Sequence, residues 1–240
     1  PHVTMGIFVL CAETQEEVRM SLEERGVGHV EWLHGLGLLD SDVQLVHSVW
    51  LDDNELDLIA ESGAVVVHCP VSNMYLASGI PKILEMVERN IPIALASDGP
   101  GSNNRQDMFE AMKATVLLQK VHHLDPVALL PEDSLRMACN GGALAFGKSD
   151  NIGMIRPGYK ADLAVVDLQT VFSAPVHSVP SALVFCCTPS NVRHVMVNGK
   201  IILEDGLIEG VNESALLVEA ENAARELFSR AGVSSRLTRK

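Results

Sequence analysis

Four polar side chains stand at or near the ends of four apolar runs, and each is of a type that can do chemistry. Glu13 ends "MGIFVLCAE", His47 lies in "VQLVHSV", His68 lies in "AVVVHCP" and Asp98 ends "IPIALASD". Carboxylates and imidazoles transfer protons near neutral pH, and both ligate divalent metals. The four residue types together therefore predict a metal site, a general acid–base pair, or both.

The apolar runs span residues 5–13, 43–49, 64–70 and 91–98 and are nearly continuous in Val, Ile and Ala. Strands that are buried on both faces of a parallel sheet have this composition. The stretches between the runs have acidic starts or Gly and Asn stops, which indicate helices. The order β-α-β-α-β-α-β predicts an α/β parallel sheet, either open or closed into a barrel.

The carboxyl ends of parallel strands meet at one rim, which is where α/β proteins place their chemistry. Each residue alone has a simpler explanation: His68 as a buried structural histidine, Asp98 as a helix cap, and Glu13 as a solvated carboxylate. Their recurrence at four successive strand ends favours a shared site.

Composition excludes several classes of protein. The 240 residues are 47% hydrophobic, which is enough for one large domain or one and a half. Eighteen basic against 31 acidic residues give a formal charge of −13, which disfavours nucleic-acid binding. Five cysteines without a CxxC pair argue against disulfides or a zinc ribbon and favour a reducing cytoplasm. No apolar run is long enough to span a membrane.

Six motifs, in order, carry a resemblance to a known family: "CAET", "VHSVWLDDNEL", "HCPVSNMYLASG", "SDGPGSNNRQDMFEAMK", "GMIRPGYKADLAVVD" and "VRHVMVNGKII". The sequence resembles the amidohydrolase superfamily, in particular its nucleobase, triazine and methylthioadenosine deaminase branch. The resemblance implies the C-terminal half of a (β/α)8 TIM barrel, strands five to eight, over residues 1–148. It further implies part of a small β-sandwich domain over 149–212 and a C-terminal helix and tail over 213–240.

The resemblance also implies metal-dependent hydrolysis of a C–N bond, with deamination of a small nucleobase- or triazine-like ring. Asp98 would bind zinc, or in some members iron, and would take a proton from the attacking water. Glu13 would carry a proton to the ring nitrogen and to the leaving amine, and His47 would hydrogen-bond the attacking hydroxide or the developing oxygen. The "HCPVSN" motif would shape the substrate pocket through three residues: His68, Ser72 and Asn73.

Two features of the expected metal site depart from the family pattern. The metal histidine of the fifth strand is expected three residues before the glutamate, where this chain has Leu10. The HxH pair of the first strand is absent, and the adjacent His122 and His123 follow the eighth strand instead. Of four expected ligands only Asp98 remains. A catalytically inactive, truncated homologue that serves as a binding or assembly module is therefore the alternative to an enzyme.

Half a barrel would expose unpaired strand edges and apolar faces. We therefore expect either a homo-oligomer or a partner chain that covers the open edge, and the missing initiator methionine favours a fragment of a longer protein. An open nucleotide-binding sheet is a third possibility, but neither GxGxxG nor GxxxxGK[ST] follows any apolar run.

Overall fold

The computed structural model describes residues 6–233, in which two four-stranded sheets organise the chain. Met5, which begins the first predicted strand, and the tail 234–240 lie outside the described residues. The first sheet is parallel, and its strands pair in the order β1 (Ile7–Cys11), β2 (Val43–His47), β3 (Val65–His68) and β4 (Ile93–Leu95). The four predicted strands thus form in chain order and place their carboxyl ends at one rim.

Helices fill the segments between and after these strands. They are α1 (Gln15–Arg25), α2 (His29–Gly35), α3 (Asp53–Ser62), α4 (Pro70–Tyr75), α5 (Ile83–Glu88), α6 (Pro100–Asn103) and α7 (Met108–His123). Local signals set their ends. Thr14 and Glu17 form a capping box at the start of α1, and Gly26 ends α1 in the left-handed conformation. Asp52 and Gly63 do the same for α3.

The sheet buries one face against this helical layer, where Leu45, Val66 and Ile93 pack with Ile59 and Met112. A smaller cluster forms on the opposite face and contains Val65, Val67, Cys69 and Ala94. Strand β1 extends this opposite face but is uncovered within the described chain: Phe8 is 60% exposed and Leu10 is 68% exposed.

The chain after β4 returns to pack beside that strand. Helix α8 (Pro131–Arg136), a π-helical turn (Met137–Gly141) and helix α9 (Gly142–Ala145) follow one another, and the π-helical turn and α9 contact β4. A side chain at Gly141 would put its Cβ 2.0 Å from the carbonyl oxygen of Ile93. Glycine is therefore required at position 141 for the close approach of helix and strand.

Helix α10 (Val179–Phe185) packs against α7 and α8. Residues 179–185 fall in the segment that the sequence assigned to a sandwich, 149–212. In the structure they form a helix that contacts α7 and α8, and the division of the chain into domains stays a prediction.

The second sheet is antiparallel and contains β5 (Leu163–Val166), β6 (Val192–Val197), β7 (Lys200–Glu204) and β8 (Leu207–Ile208). Asn198 and Gly199 connect β6 to β7 with positive φ at both positions, as a two-residue hairpin requires. Helix α11 (Glu213–Arg230) follows the sheet. Residues 6–233 form these two sheets and no third one, so the sandwich stays a prediction. Among the described helices, none has both the length and the apolar character needed to cross a bilayer.

Candidate active site

The rim of the first sheet carries left-handed backbone at residues other than glycine. Ala12, His47, Ser48 and Asp98 have φ values of 47°, 70°, 50° and 63°. Such conformations are uncommon, cost about 1–3 kcal/mol each and concentrate at functional sites. The chain therefore turns sharply after three strands, at the residues that the sequence singled out or directly next to them.

Glu13 and His47 face one another across this rim. Glu13 Oε2 lies 3.6 Å from His47 Nε2, and the two side chains are 14% and 1% exposed. The other ring nitrogen of His47, Nδ1, donates to Oδ1 of Asn73 at 2.9 Å, with the amide assigned in this orientation. Nε2 is then the nitrogen that faces the carboxylate, at a separation longer than a hydrogen bond.

The second carboxylate oxygen of Glu13 is also held. The Ser78 hydroxyl donates to Glu13 Oε1 at 2.9 Å. The backbone of Ser78 is fixed in turn, because its carbonyl accepts from the Trp50 indole N–H at 2.6 Å and its N–H donates to the Asn73 carbonyl at 2.8 Å. Glu13 therefore has a defined orientation at the rim.

Asp98 collects three hydrogen bonds on its carboxylate. The hydroxyls of Ser72 and Ser102 donate to Oδ2 at 2.7 and 2.6 Å, and the Gly99 N–H donates to Oδ1 at 2.7 Å. Burial by itself raises the pKa of Asp98, but the three donors and the charge of His47 outweigh it and hold that pKa below its usual value. Asp98 is therefore ionised at neutral pH and suited to accept a proton or to bind a cation.

His68 is fully buried beneath the rim, and neither ring nitrogen has a hydrogen-bond partner within the described residues. Burial, with a smaller contribution from the charge of His47, lowers the pKa of His68 to about 3. The ring is therefore neutral, and its predicted place in the pocket wall stays a prediction.

Two residues of the "HCPVSN" segment form hydrogen bonds with the predicted catalytic residues. Ser72 donates to Asp98 and Asn73 accepts from His47, so both residues that were predicted to bind substrate hold neighbouring side chains. Their direct contact with a substrate stays a prediction. Sequence reasoning missed Ser78 and Ser102. Ser102 follows Asp98 by one helical turn, which is a readable signal, whereas nothing local links Ser78 to Glu13.

The metal-binding side chains at the rim do not make up a complete zinc or iron site. Such sites need three or four ligands, and Leu10, at the expected histidine position, offers only hydrocarbon. Over residues 6–233, no three His, Cys, Asp or Glu side chains cluster as metal ligands. Asp98 is available, and any further ligands would come from outside the described chain.

Comparison with known proteins places the chain in a family. The sequence pattern of the Amidohydrolase family matches residues 3–202. The 5'-deoxyadenosine deaminase of Methanosarcina barkeri is 38% identical over 225 residues, which cover 94% of this chain and 52% of the relative. The 5-methylthioadenosine/S-adenosylhomocysteine deaminase of Pelotomaculum thermopropionicum is 36% identical with the same coverage.

Solved structures share the fold. An adenosine deaminase from Xanthomonas campestris with bound zinc superimposes with a TM-score of 0.91 at 34% identity, over 94% of this chain and 51% of that one. An atrazine chlorohydrolase from Arthrobacter aurescens, complexed with zinc and atraton, has a TM-score of 0.85 over 92% of this chain and 49% of that one; at 21% identity it supports the fold alone. The chain spans about half the length of these proteins. The α/β fold, the matched residues and the relatives agree that this chain belongs to the amidohydrolase family.

Proposed function

We propose that this chain forms the acid–base side of an active site that hydrolyses a C–N bond and deaminates an adenosine-like nucleoside or a related heterocycle. The observation that carries the proposal is the pairing of Glu13 with His47 at a rim where Asp98 is held ionised. The relatives named as deaminases of 5'-deoxyadenosine and 5-methylthioadenosine support the same reaction class.

Hydrolytic deamination adds the oxygen of water to the carbon that carries the amine and releases ammonia. The reaction needs a base for the water proton, an acid for the ring nitrogen and a proton for the leaving amine. We assign the base to Asp98 and the proton transfers to Glu13, and we assign to His47 a hydrogen bond to the attacking oxygen. The charge of Asp98 and the fixed orientation of Glu13 support these roles.

A metal ion, zinc or iron, belongs to the proposed complete site. The described residues supply Asp98 and no full ligand set, so we propose that the remaining ligands lie outside residues 6–233 or on another chain. The zinc bound to the adenosine deaminase from Xanthomonas campestris supports the metal for the family.

We also propose that a second copy or a partner chain covers the open side of the first sheet. The exposed Phe8 and Leu10 on β1 support this proposal, because such apolar side chains next to a strand edge favour association. Native mass spectrometry tests it. We expect a dimer or a complex with another chain, and a free monomer at micromolar concentration would contradict the proposal.

Leu10 favours a second candidate function, in which the chain binds a heterocycle or assembles with a partner without turnover. A leucine at a metal-ligand position removes a donor, while Glu13, His47 and Asp98 keep their hydrogen bonds. Binding of adenosine, measured by calorimetry, together with no ammonia release in any assembly would favour this function over deamination.

The experiment that tests deamination measures ammonia release from adenosine, 5'-deoxyadenosine, 5-methylthioadenosine and S-adenosylhomocysteine, with added zinc. The chain is assayed alone and coexpressed with the half of the Methanosarcina barkeri deaminase that it does not match. We expect Glu13→Gln to lower kcat by about 10²- to 10⁴-fold. Glu61→Gln, an exposed position on α3, is the control. Turnover that survives Glu13→Gln unchanged would overturn the assignment.

A further inference from the structure

We propose that Ser78 is a positioning residue that sets the orientation of Glu13, an inference whose catalytic consequence rests on the proposed function. The Ser78 hydroxyl donates to Glu13 Oε1 at 2.9 Å, while Oε2 of the same carboxylate faces His47. Ser78 is 6% exposed, so little solvent is available to replace its hydroxyl. One oxygen of Glu13 is thus anchored and the other is presented to the rim.

Ser78 also completes a closed ring of contacts. Its backbone N–H donates to the carbonyl of Asn73, and the Asn73 side chain accepts from His47, which faces Glu13. The distance between Glu13 and His47 is therefore fixed from both ends by residues of one segment, 73–78. A change at Ser78 alters the Glu13 end of this ring and leaves the bond between Asn73 and His47 in place.

Trp50 holds Ser78 where it can reach Glu13. The indole N–H donates to the Ser78 carbonyl at 2.6 Å, and the Trp50 backbone N–H donates to the carbonyl of Ala12, the residue before Glu13. Gly79 adopts φ +132°, and a Cβ there would lie 2.7 Å from Trp50 Cζ2. The ring of Trp50 thus packs directly on the backbone that follows Ser78, which explains the glycine.

Removing one partner of a buried hydrogen bond leaves the other partner unsatisfied. A partly buried carboxylate oxygen that loses a donor is left poorly solvated, and the side chain turns to find another partner. Turning Glu13 moves Oε2 away from its position opposite His47. Misplacement of a proton-transfer group by about 1 Å costs up to about 10²-fold in rate.

The test measures the Glu13 carboxyl carbon by ¹³C NMR at fixed pH, in the full chain without substrate. Ser78→Ala should shift the Glu13 signal and leave that of Asp98 in place. Ser72→Ala, the matched control, removes the hydroxyl that donates to Asp98 and should give the reverse pattern. This crossed result cannot arise from general destabilisation, which would disturb both carboxyl groups in both variants.

Two further variants test the same proposal if Ser78→Ala perturbs folding. Ser78→Thr retains the hydroxyl and should restore the wild-type Glu13 signal. Trp50→Phe keeps an aromatic side chain but loses the indole N–H, and should shift the Glu13 signal in the same direction as Ser78→Ala by a smaller amount. A Glu13 signal that is unchanged in both Ser78→Ala and Trp50→Phe would overturn the proposal.

Kinetics in the coexpressed assembly separate this inference from the proposed function. Ser78→Ala should lower kcat by about ten- to a hundredfold with a change in KM of less than about threefold, and Ser78→Thr should recover most of kcat. A loss of kcat/KM of the same size that came only from a higher KM would overturn the positioning role. The crossed NMR pattern without turnover in any variant would support the anchoring of Glu13 by Ser78 and would contradict deamination itself.

Discussion

Glu13 and His47 approach within 3.6 Å from the ends of two adjacent parallel strands, and the histidine is almost fully buried. His47 is the last residue of β2 and has a left-handed φ of 70°. Asn73 holds the opposite side of that ring. The rim is therefore assembled by backbone turns and side-chain hydrogen bonds before any substrate arrives.

The charge of Asp98 should depend on its serine donors. Ser72→Ala and Ser102→Ala should each raise the pKa of Asp98, because each removes a hydrogen bond to the ionised form. A ¹³C NMR titration of the carboxyl group measures the change. Ser97→Ala is the control, because its hydroxyl donates to the Asp98 backbone carbonyl instead.

The sign of the stability effect follows from that shift. The pKa of Asp98 is lower in the folded chain than its ordinary value of 3.8, so its stabilisation is complete above that value and is lost as pH falls below it. The two serine variants should lose less stability on acidification than the wild type. An Asp98 titration that is the same in all three serine variants and the wild type would contradict the account.

Buried His68 should make the fold sensitive to mild acid. Its pKa is about 3 when folded and about 6.5 when unfolded, so the unfolded chain binds an extra proton between these values. The contribution to stability is fully present above pH 6.5 and falls by roughly 1 kcal/mol per pH unit below it.

Urea unfolding at pH 7 and pH 5 measures this dependence. His68→Gln should destabilise the chain at pH 7, and the difference between variant and wild type should shrink at pH 5 because the variant does not titrate. His34→Gln, at an exposed position on α2, is the matched control and should leave the slope unchanged. Parallel slopes for wild type and His68→Gln would show that His68 is not held neutral.

Neighbouring glycines offer a test of the packing of the π-helical turn on β4. Gly141 and Gly142 share helical backbone angles, but only at Gly141 would a Cβ collide, 2.0 Å from the Ile93 carbonyl oxygen. Gly141→Ala should lower the free energy of unfolding by about 1–3 kcal/mol through overpacking. Gly142→Ala should be neutral or raise it by up to about 1 kcal/mol. Chemical denaturation of the two variants measures both free energies of unfolding. Equal changes in the two variants would be inconsistent with this packing.

The ligand set predicts weak zinc binding by the chain alone. Asp98 is the one proposed ligand among the described residues, so we expect less than one zinc per chain after dialysis, measured by elemental analysis. Asp98→Asn should change the bound amount little. One tightly bound zinc that is lost in Asp98→Asn would show that this chain completes the site in a way that its described residues do not reveal.

Much of the first sheet could be predicted from the sequence because its signals are local. The run "AVVVH" becomes β3, and the glycine that precedes it, Gly63, ends α3 as expected. The rim followed from topology, since parallel strands in sequence must end on the same side. Glu13, His47 and Asp98 could thus be selected before any contact between them was known.

The remaining features depend on tertiary contacts that no local pattern encodes. The bond from Ser78 to Glu13 joins two loops that are distant in sequence, and the left-handed turn at His47 occurs at a residue type that does not require it. The sequence assigns helix α10 to the second domain because the helix lies between two strand-like segments. Its contacts with α7 and α8 join segments that are far apart in the sequence.

Segment 72–78 forms hydrogen bonds with all three proposed catalytic residues. The hydroxyls of Ser72 and Ser78 donate to Asp98 and Glu13, and the Asn73 side chain accepts from His47. A backbone shift of this segment would therefore move all three contacts together, whereas a side-chain substitution at Ser72 or Ser78 removes only one of them.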